Sequence, residues 1–428
     1  MIQHTLVFLE PGHFHAALTL RERHPLARDE VFVYTAEPPG TKGGEVREFL
    51  DLVTAFNQRP ERPTMWRAVV RSGPEPLTRL LHDRPGDVAI LAGRNDRKMA
   101  LARQLHDAGI HVLADKPWMT SPTALPDVRH VLSGGPRAME MMTGRLSPTS
   151  RLMERLVREP RIFGTFDTSG EDGVPISLSS VHHLEKLVNG VPLRRPPWFF
   201  DVRVQGNGLA DIPTHLVDQV QRLLAPPGSA ALRDARLFTA RHETTAVPRE
   251  LFSRVTGVEG FPAELRSVVN DDVLAYAGNA ALELELRGVE VSIRSRWEPT
   301  EPTGGGDEHH AMLVGTMASV RLQQGPSTGF RRSLTISPRR GGQIEAALSA
   351  VLAAWQHDFP GIAATPIHGG FEIVVPALPG TAHESQFPLV LDEFLCALEG
   401  GPWPDGGAAD TLAKYELLAR ALSAAPTA

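Results

Sequence analysis

The chain has 428 residues, more than the roughly 250 to 300 beyond which a single hydrophobic core stops growing, so its length predicts two domains. Its residues are 42% hydrophobic and 22% charged, with a net charge of -6 at pH 7, as in an ordinary globular protein. Because there is no surplus of basic residues to bind a phosphate backbone, nucleic acid is excluded as an expected partner.

Cysteine content and apolar runs limit the chain further. Cys396 is the only cysteine, which excludes an intramolecular disulfide and a thiolate metal cluster. No run of about 18 apolar residues occurs, and the first residues, "MIQHTLVFLEPGHFHAA", do not have the pattern of a secretion signal. We therefore expect no membrane span and a cytoplasmic location.

The first third of the sequence alternates short apolar runs with helix-like segments. The runs "TLVFL", "EVFVYTA", "DVAILAG" and "IHVLADKP" indicate strands. The segments "FHAALTLRER", "EVREFLDLVTAFN" and "RKMALARQLHDAG" lie between them and indicate helices. This alternation predicts βαβ units and a doubly wound parallel sheet, which is a Rossmann dinucleotide-binding domain, over residues 1–138.

The pattern changes in residues 139–428. The segments "RLMERLVREP" and "IPTHLVDQVQRLL" indicate helices, and "LAKYELLARALSA" predicts a closing C-terminal helix. Between them, "NAALELELRGVEVSIRSRWE" and "MASVRLQQG" alternate apolar and polar residues with period two, which is typical of an antiparallel sheet covered on one face. We predict an α+β domain with a large, mainly antiparallel open sheet.

The loop after the first strand, "LEPGHFHAAL", is where a dinucleotide-binding fold carries glycines that let the backbone approach a pyrophosphate. Only one glycine remains, because Glu10 and His15 replace the other two. An acidic residue after the second strand would bind a ribose hydroxyl. The candidate cofactor-binding residues of this region are therefore Gly12, His13, Phe14 and Glu37. The alternative is an ordinary strand-to-helix turn.

The strand "IHVLA" leads directly into Asp115, Lys116 and Pro117. The carboxyl end of a parallel strand faces the crevice where such sheets bind ligands, so the Lys116 ammonium can donate to a substrate hydroxyl or to a cofactor. The alternative is a solvated lysine in a turn before proline.

This region resembles the signature of the Gfo/Idh/MocA oxidoreductases, the family of glucose-fructose oxidoreductase and inositol dehydrogenase. The family pattern is an Asn after the fourth strand, then Gly-x-His-Val and Glu-Lys-Pro. It is matched here by Asn95, Gly109, His111, Val112, Lys116 and Pro117, with Asp115 in place of Glu. The resemblance implies that Asn95, Asp115, Lys116 and Pro117 contact a bound cofactor, NAD or NADP.

Downstream segments resemble the same family in the same order. They are "GRLSP", "WFFDVRVQGNGLADIPTHLVD" and "WEPTEPTGGGDEHHAMLVGTMASVRLQQG". The segments "EPGHFHAA", "LADKP" and "RRPPWFFDVR" resemble those of a divergent branch of the family, whose members are known mainly as putative oxidoreductases. The resemblance implies a Rossmann domain followed by an α+β domain, with the site between them.

The helix in "GLADIPTHLVDQVQ" has a polar side. At 100° per residue, Asp211, His215 and Asp218 lie opposite the stripe formed by the apolar residues, so this side faces water or a cleft. Pro213 suits the first turn, and Asp211 just before it can cap the helix. One interpretation is therefore a cap and a solvated histidine.

The other interpretation is catalytic. Asp211 and His215 are four residues apart and can project together into a cleft, where the carboxylate would raise the pKa of the imidazole. The resemblance implies that this histidine, with Lys116, takes the proton of a hydroxyl while hydride leaves to a nicotinamide. A side-chain base can accept the proton, but only a cofactor can accept or donate the hydride. We predict Lys116, Asp211 and His215 as catalytic residues and Asp218 as an outer, structural one.

Further polar and aromatic residues suit a polyol pocket. The candidate substrate-binding residues are Arg145, His183, Trp198 and His309. The pairs "HH" at 182–183 and 309–310 could supply zinc ligands, but adjacent strand residues point to opposite faces, so we expect no metal site.

The sequence thus predicts an NAD(P)-dependent oxidoreductase that transfers hydride to or from a hydroxyl carbon of a sugar, cyclitol or related polyol. Two alternatives remain: a redox-neutral, NAD-dependent glycosidase or lyase, and a non-catalytic ligand-binding protein with the same fold. The resemblance also implies a homodimer or homotetramer formed through the sheet of the second domain.

Overall fold

The structure, a computed structural model, describes residues 3–41, 44–188, 191–302, 305–339, 343–404 and 406–425. The strands of its first sheet are β1 (Leu6–Leu9), β2 (Glu30–Thr35), β3 (Arg67–Ser72), β4 (Val88–Leu91), β5 (His111–Asp115) and β6 (Ala138–Met141). The helices along them are α1 (His15–Leu18), α2 (Glu45–Gln58), α3 (Pro76–Asp83), α4 (Lys98–Asp107) and α5 (Leu125–Leu132). All strand pairs are parallel, in the order β3-β2-β1-β4-β5-β6, which confirms the predicted Rossmann architecture.

The first domain differs from the sequence-based expectation in two ways. The strands β3 and β6 and the helices α3 and α5 were not predicted; β3 and β6 are the two edge strands of the sheet, and the exposed ends of β3 weaken its apolar pattern. The helix expected over "FHAALTLRER" has only four residues. It ends early because the Thr19 hydroxyl bonds the Ala16 carbonyl and the following amides bond carbonyls three residues back, which tightens the chain into a turn.

The rest of the chain forms a second layer of helices and a ten-stranded sheet. The helices are α6 (Pro148–Val157), α7 (Val202–Gln205), α8 (Pro213–Leu224), α9 (Arg249–Thr256), α10 (Glu345–Ala354), α11 (Gln386–Leu398) and α12 (Gly407–Ala424). The strands are β7 (Ile176–Glu185), β8 (Leu187–Val188), β9 (Val191–Pro192), β10 (Arg236–Pro248), β11 (Val269–Asn270), β12 (Val273–Leu286), β13 (Val289–Thr300), β14 (Glu308–Val314), β15 (Ala318–Gln324), β16 (Ser333–Pro338), β17 (Ala363–Ile367) and β18 (Gly370–Val374).

The large sheet has the order β10-β12-β13-β7-β14-β15-β16-β18-β17, with β11 beside β12, while β8 and β9 form a separate hairpin. Within the described ranges, β7 and β13 are the parallel pair of the large sheet, and all other neighbouring strands of this sheet are antiparallel. Along β13, Val291, Ile293 and Ser295 are buried whereas Arg294 and Arg296 are exposed. This alternation agrees with the predicted sheet covered on one face, and α8 and α6 pack against it.

The predicted domain boundary at residues 138 and 139 falls at the start of β6, so the parallel sheet runs three residues further, to Met141. The helix α11 also returns to the first domain. Its Phe387 and Phe394 are buried in the same apolar cluster as Leu6 and Phe8 of β1. The first domain is therefore completed by residues near the C-terminus. Within the described chain, no helix is both long and apolar enough to cross a membrane.

A buried cluster of charges joins β6, α8 and α12. The Lys414 ammonium, with 0% of its side chain exposed, lies 2.5 Å from Glu140 Oε2 and 3.3 Å from Asp218 Oδ1. The Tyr415 hydroxyl donates to Glu140, and Arg145 Nε donates to Asp218 Oδ2 over 2.8 Å. Since each charge has an opposite partner, the cluster fixes α8 to β6 of the first sheet and to α12 without an uncompensated buried charge.

We predict that Lys414→Met destabilises the folded chain by roughly 3 kcal/mol, because it leaves the Glu140 carboxylate buried without its cation. Arg47→Gln, which breaks an exposed pair with Asp51 on α2, is the control and should cost less than about 0.5 kcal/mol. Urea unfolding followed by circular dichroism measures both. A loss below about 1 kcal/mol for Lys414→Met would show that the cluster does not hold α8.

Candidate functional site

An ion pair between the two domains marks the cleft. Lys116 follows β5, and its Nζ lies 2.6 Å from Asp211 Oδ1, just before α8; 13% and 4% of the two side chains are exposed. Burial alone would lower the pKa of Lys116, but the Asp211 and Asp115 carboxylates raise it. Burial likewise acts to raise the pKa of Asp211, and Lys116 lowers it below its ordinary value. Both groups therefore stay charged.

The expected helix cap is wrong. The helix α8 begins at Pro213 without a side-chain cap, and the Asp211 carboxylate instead accepts from Lys116 and, over 3.3 Å, from Gln205 Nε2. A hydrogen bond from a charged ammonium is stronger than one from a helix amide, which explains why Asp211 binds Lys116 and does not cap α8. Asp211 contributes its backbone carbonyl, which accepts from the Thr214 amide over 3.3 Å.

His215 lies half-buried on α8, and its environment opposes the sequence-based expectation. Burial lowers the pKa of His215 to about 3, and the charges of Lys116, Lys414 and His383 act in the same direction. The predicted increase caused by Asp211 is wrong, because that carboxylate is already paired with Lys116. His215 is a neutral imidazole near pH 7, so one ring nitrogen can accept a proton.

Asp218 is not the outer member of the helix face. It is buried, with 2% exposed, and it binds Arg145 and Lys414. Burial acts to raise its pKa, but these two cations lower it strongly. The structural role predicted for Asp218 agrees with these contacts, and the same contacts direct the guanidinium of Arg145, a predicted substrate contact, toward α8.

The first loop is tied to the end of β5 by one carboxylate. Asp115 Oδ2 lies 2.8 Å from His15 Nδ1 and 3.4 Å from His13 Nδ1, while Asp115 Oδ1 accepts from the Lys116 amide over 2.9 Å. Burial acts to raise the pKa of Asp115, but His15 and His13 lower it well below its ordinary value. The ring of Phe14 lies beside His13, with 4.6 Å between centroids. The structure thus brings together several of the predicted cofactor-binding residues.

These three residues also have donor atoms that a metal ion could use. The ligand atoms of His13, His15 and Asp115 all lie within 4.8 Å of one another. The Asp115 bond to His15 satisfies both groups without an ion, so the absence of a metal stays a prediction.

Glycines bring the first loop close to its neighbours. A side chain at Gly93 would collide with the Glu10 carbonyl, and one at Gly12 would collide with the Glu45 carboxylate on α2. Glu45 accepts a hydrogen bond from Trp198 Nε1. The predicted substrate contact Trp198 therefore lies against the cofactor loop, because the chain before α7 crosses to the first domain at this point.

Glu45 is an unusual carboxyl group. Burial raises its pKa to about 7, the Trp198 hydrogen bond opposes this increase, and the nearby Glu37 adds to it. Glu37 follows the end of β2, where its predicted role in binding a ribose hydroxyl would place it. Acidic groups thus lie together at this end of the cleft.

The turn after β5 is organised by a lysine that the sequence analysis did not assign to the site. Lys98 is buried, and its Nζ donates to Asn95 Oδ1, the Asp115 carbonyl and the Pro117 carbonyl over 2.6, 2.8 and 3.1 Å. Burial lowers its pKa to about 8. Asn95 Nδ2 donates to the Gln205 carbonyl over 2.9 Å, so the side chain of this predicted cofactor contact links the two domains.

On the far side of the cleft, the large sheet presents histidines. The rings of His182 and His309 lie 5.7 Å apart, and the charge of His182 acts on Asp211. His183, a predicted substrate contact, is buried, with its Nδ1 3.9 Å from Asp307 Oδ1. Asp307 also lies 3.1 Å from His182 Nδ1 and 2.7 Å from Lys186 Nζ.

Two more groups reach this region that sequence reasoning missed. Arg332 precedes β16, and His383 lies just before α11. Burial is the main cause that lowers the pKa of His309, and the charge of Arg332 lowers it further. His383 likewise contributes to the lowered pKa of His215. Neither residue belongs to a local motif, so only the folded chain shows that they share a site with Lys116.

This parallel nucleotide-type sheet, the polar cleft and the paired Lys116 define the class of dinucleotide-dependent oxidoreductases. Residues 152–426 match the family described as "Putative oxidoreductase C terminal domain". A putative oxidoreductase from Parabacteroides merdae is 32% identical over 98% of this chain and 97% of that one, with a TM-score of 0.90. The chain therefore belongs to this family, a branch of the Gfo/Idh/MocA oxidoreductases, which confirms the resemblance.

More distant structures share the fold. The 3-ketoreductase KijD10 from Actinomadura kijaniata, solved with NADP and TDP-benzene, is 16% identical over 99% of this chain and 98% of its own, with a TM-score of 0.57. GenD2 from gentamicin A biosynthesis, solved with NAD, is 16% identical over 99% of this chain and 95% of its own, with a TM-score of 0.55. None of the curated proteins matches the chain.

The pKa of Glu45 predicts a pH-dependent stability. Because burial raises this pKa from 4.5 to about 7, the folded chain binds the proton more tightly than the unfolded chain, and stability falls as pH rises through that window. Glu45→Gln should remove about 1 kcal/mol of the stability difference between about pH 5 and pH 8, after allowance for partial exposure. Urea unfolding at both pH values measures it.

Asp51→Asn is the matched control, since it removes an exposed carboxylate from the same helix. It should leave the pH dependence of the wild type unchanged. If Glu45→Gln also leaves it unchanged, the Glu45 carboxyl is not a proton-binding group of the folded chain.

Proposed function

We propose that the protein is an NAD(P)-dependent oxidoreductase that transfers hydride to or from a hydroxyl carbon of a sugar, cyclitol or related polyol. The observation that supports this most directly is the ion pair of 2.6 Å between Lys116, at the carboxyl end of β5, and Asp211 of the second domain. It places a charged proton donor where a doubly wound sheet binds its ligands.

The residues present fit a dinucleotide. Gly12 and Gly93 bring the loop after β1 and the end of β4 together where the strand order reverses, and Glu37 follows β2. The residues that would hold it are Gly12, His13, Phe14, Glu37, Asn95, Asp115, Lys116 and Pro117. When bound, the nicotinamide supplies the hydride acceptor or donor that no side chain can provide.

Lys116 is the residue best suited to hold the reacting oxygen. Asp211 accepts one of its three N–H bonds and keeps the ammonium charged, so the others can donate to a substrate hydroxyl or carbonyl. Such a donor stabilises negative charge on that oxygen while the carbon-bound hydrogen is transferred.

His215 is suited to accept the proton of the substrate hydroxyl. Its neutral imidazole can accept the hydroxyl proton, and the loss of that proton is what makes hydride removal from an alcohol favourable. The cations that lower the pKa of His215 would be offset by an alkoxide or an anionic substrate, which would make the imidazole a stronger base during the reaction.

The relatives support this proposal through their own chemistry. KijD10 is a 3-ketoreductase solved with NADP, and GenD2 was solved with NAD, so proteins of this fold bind either dinucleotide and at least one of them is a ketoreductase. We further propose a cytoplasmic homodimer or homotetramer that pairs through the open face of the large sheet, where polar residues such as Ser177 and Arg294 are exposed.

The first functional prediction concerns Lys116. Lys116→Met should lower kcat about 100-fold or more, because the reacting oxygen loses its charged donor, and should raise the Kd for dinucleotide by a much smaller factor, because Lys116 is only one of several predicted cofactor contacts. Lys116→Arg keeps the charge and should retain more activity. Dinucleotide titration by fluorescence, followed by assays at 340 nm with a panel of polyols and ketoses, measures both quantities.

Failure of the wild type to bind either NAD or NADP would contradict the proposed function. Copurifying dinucleotide without a net change in absorbance would favour a redox-neutral reaction in the same cleft.

The second functional prediction concerns Glu45. Its carboxylate adjoins Gly12, which the fold brings close to the pyrophosphate, so its ionisation above about pH 7 should weaken dinucleotide binding. We expect the Kd to be roughly threefold to tenfold lower at pH 6 than at pH 8, and Glu45→Gln to remove most of this difference. An equal pH dependence in the variant would assign the effect to another group.

A further inference from the structure

Seven side chains at the cleft interact with one another in succession and are called the ring below. They are Lys116, Asp211, His182, His309, Arg332, His383 and His215, in order. Two of the links are direct contacts, the Lys116–Asp211 pair at 2.6 Å and the His182–His309 ring pair at 5.7 Å, and the others are electrostatic interactions. Strand register supports the far side of this ring, because His309 on β14 pairs with Gln324 on β15.

Arg332 is held at a defined place in this ring. Its Nε donates to Gln324 Oε1 over 3.0 Å, and its guanidinium donates to Ser147 Oγ over 2.7 Å. Ser147 lies two residues after Arg145, which binds Asp218 on α8. The guanidinium is therefore fixed by neutral acceptors from β15 and from the segment that precedes α6.

These neutral acceptors leave Arg332 without a counter-ion. Among the described residues, no carboxylate lies within 4.0 Å of its guanidinium, whereas Arg145 and Arg203 each have one. The Arg332 side chain is exposed to solvent, yet the protein atoms around it lower its pKa, so the guanidinium is accessible to a ligand while it lies against the protein.

The charges of the ring do not cancel. Lys116 is balanced by Asp211, and Asp307, next to His182, is balanced by Lys186. Arg332 is the one cation among these seven side chains without a carboxylate partner, and burial lowers the pKa values of His309, His383 and His215, which favours their neutral forms. One such cation matches a monoanion such as a carboxylate better than a phosphate dianion.

We propose that the cleft takes a sugar acid or a related hydroxy acid, whose carboxylate is bound by Arg332 while its reacting hydroxyl lies at Lys116 and His215. This deepens the proposed function and rests on it for the reaction, but not for the binding. Arg332 is then the residue that selects acids over neutral sugars, with the free N–H bonds of its planar guanidinium available to carboxylate oxygens.

Isothermal titration calorimetry on the full chain tests this with matched ligands: D-glucuronate and D-galacturonate, the neutral D-glucose and D-galactose, and D-glucose 6-phosphate. We expect at least one uronate to bind tenfold or more tightly than its neutral counterpart. Arg332→Gln should reduce this preference to within about twofold, and Arg332→Lys should retain part of it.

Arg331→Gln is the matched control, because it removes the same charge from an exposed neighbour and should leave the preference unchanged. The proposal is overturned if no uronate binds more tightly than its neutral counterpart, if Arg332→Gln keeps the preference, or if glucose 6-phosphate is the ligand that depends on Arg332. Dinucleotide titration of the same variants separates this outcome from failure of the proposed function, since Arg332 lies outside the predicted cofactor residues.

Discussion

Two charged side chains from different domains, Lys116 and Asp211, meet in the cleft at 2.6 Å, and the site is organised around them. Asp211 is buried and Lys116 is half-buried, so either alone would be an uncompensated charge in a poorly solvated place. The pair therefore couples the end of β5 to the start of α8. The imidazole of His215 is neutral chiefly because burial lowers its pKa, and the charge of Lys116 adds to this effect.

The position of His215 depends on how α8 is held. Its next turn carries Asp218, which Arg145 and Lys414 bind inside the protein. This arrangement explains why the polar side of an amphipathic helix is buried here instead of facing water. Since the cluster is internally neutral, it fixes the helix without adding charge to the cleft, where Asp211 balances Lys116 and Arg332 has no carboxylate partner.

The two ends of the cleft differ in charge. The loop after β1 lies beside Glu37 and Glu45. The side formed by the large sheet carries Arg332 and a set of histidines. The proposed dinucleotide would therefore meet the acidic side and the proposed substrate the basic side, with the ion pair of Lys116 between them.

The sequence alone determined the parallel sheet, the one-sided second sheet, the family and the position of Lys116 at the end of β5, because hydrophobic periodicity and short motifs are local properties of the chain. It missed the edge strand β3, where exposure weakens periodicity. It was also wrong about Asp211 as a helix cap and as a group that raises the pKa of His215. Only the tertiary structure paired Asp211 with Lys116, placed Trp198 on Glu45 and brought Arg332 to the cleft, because a side chain's partner and pKa depend on residues far apart in sequence.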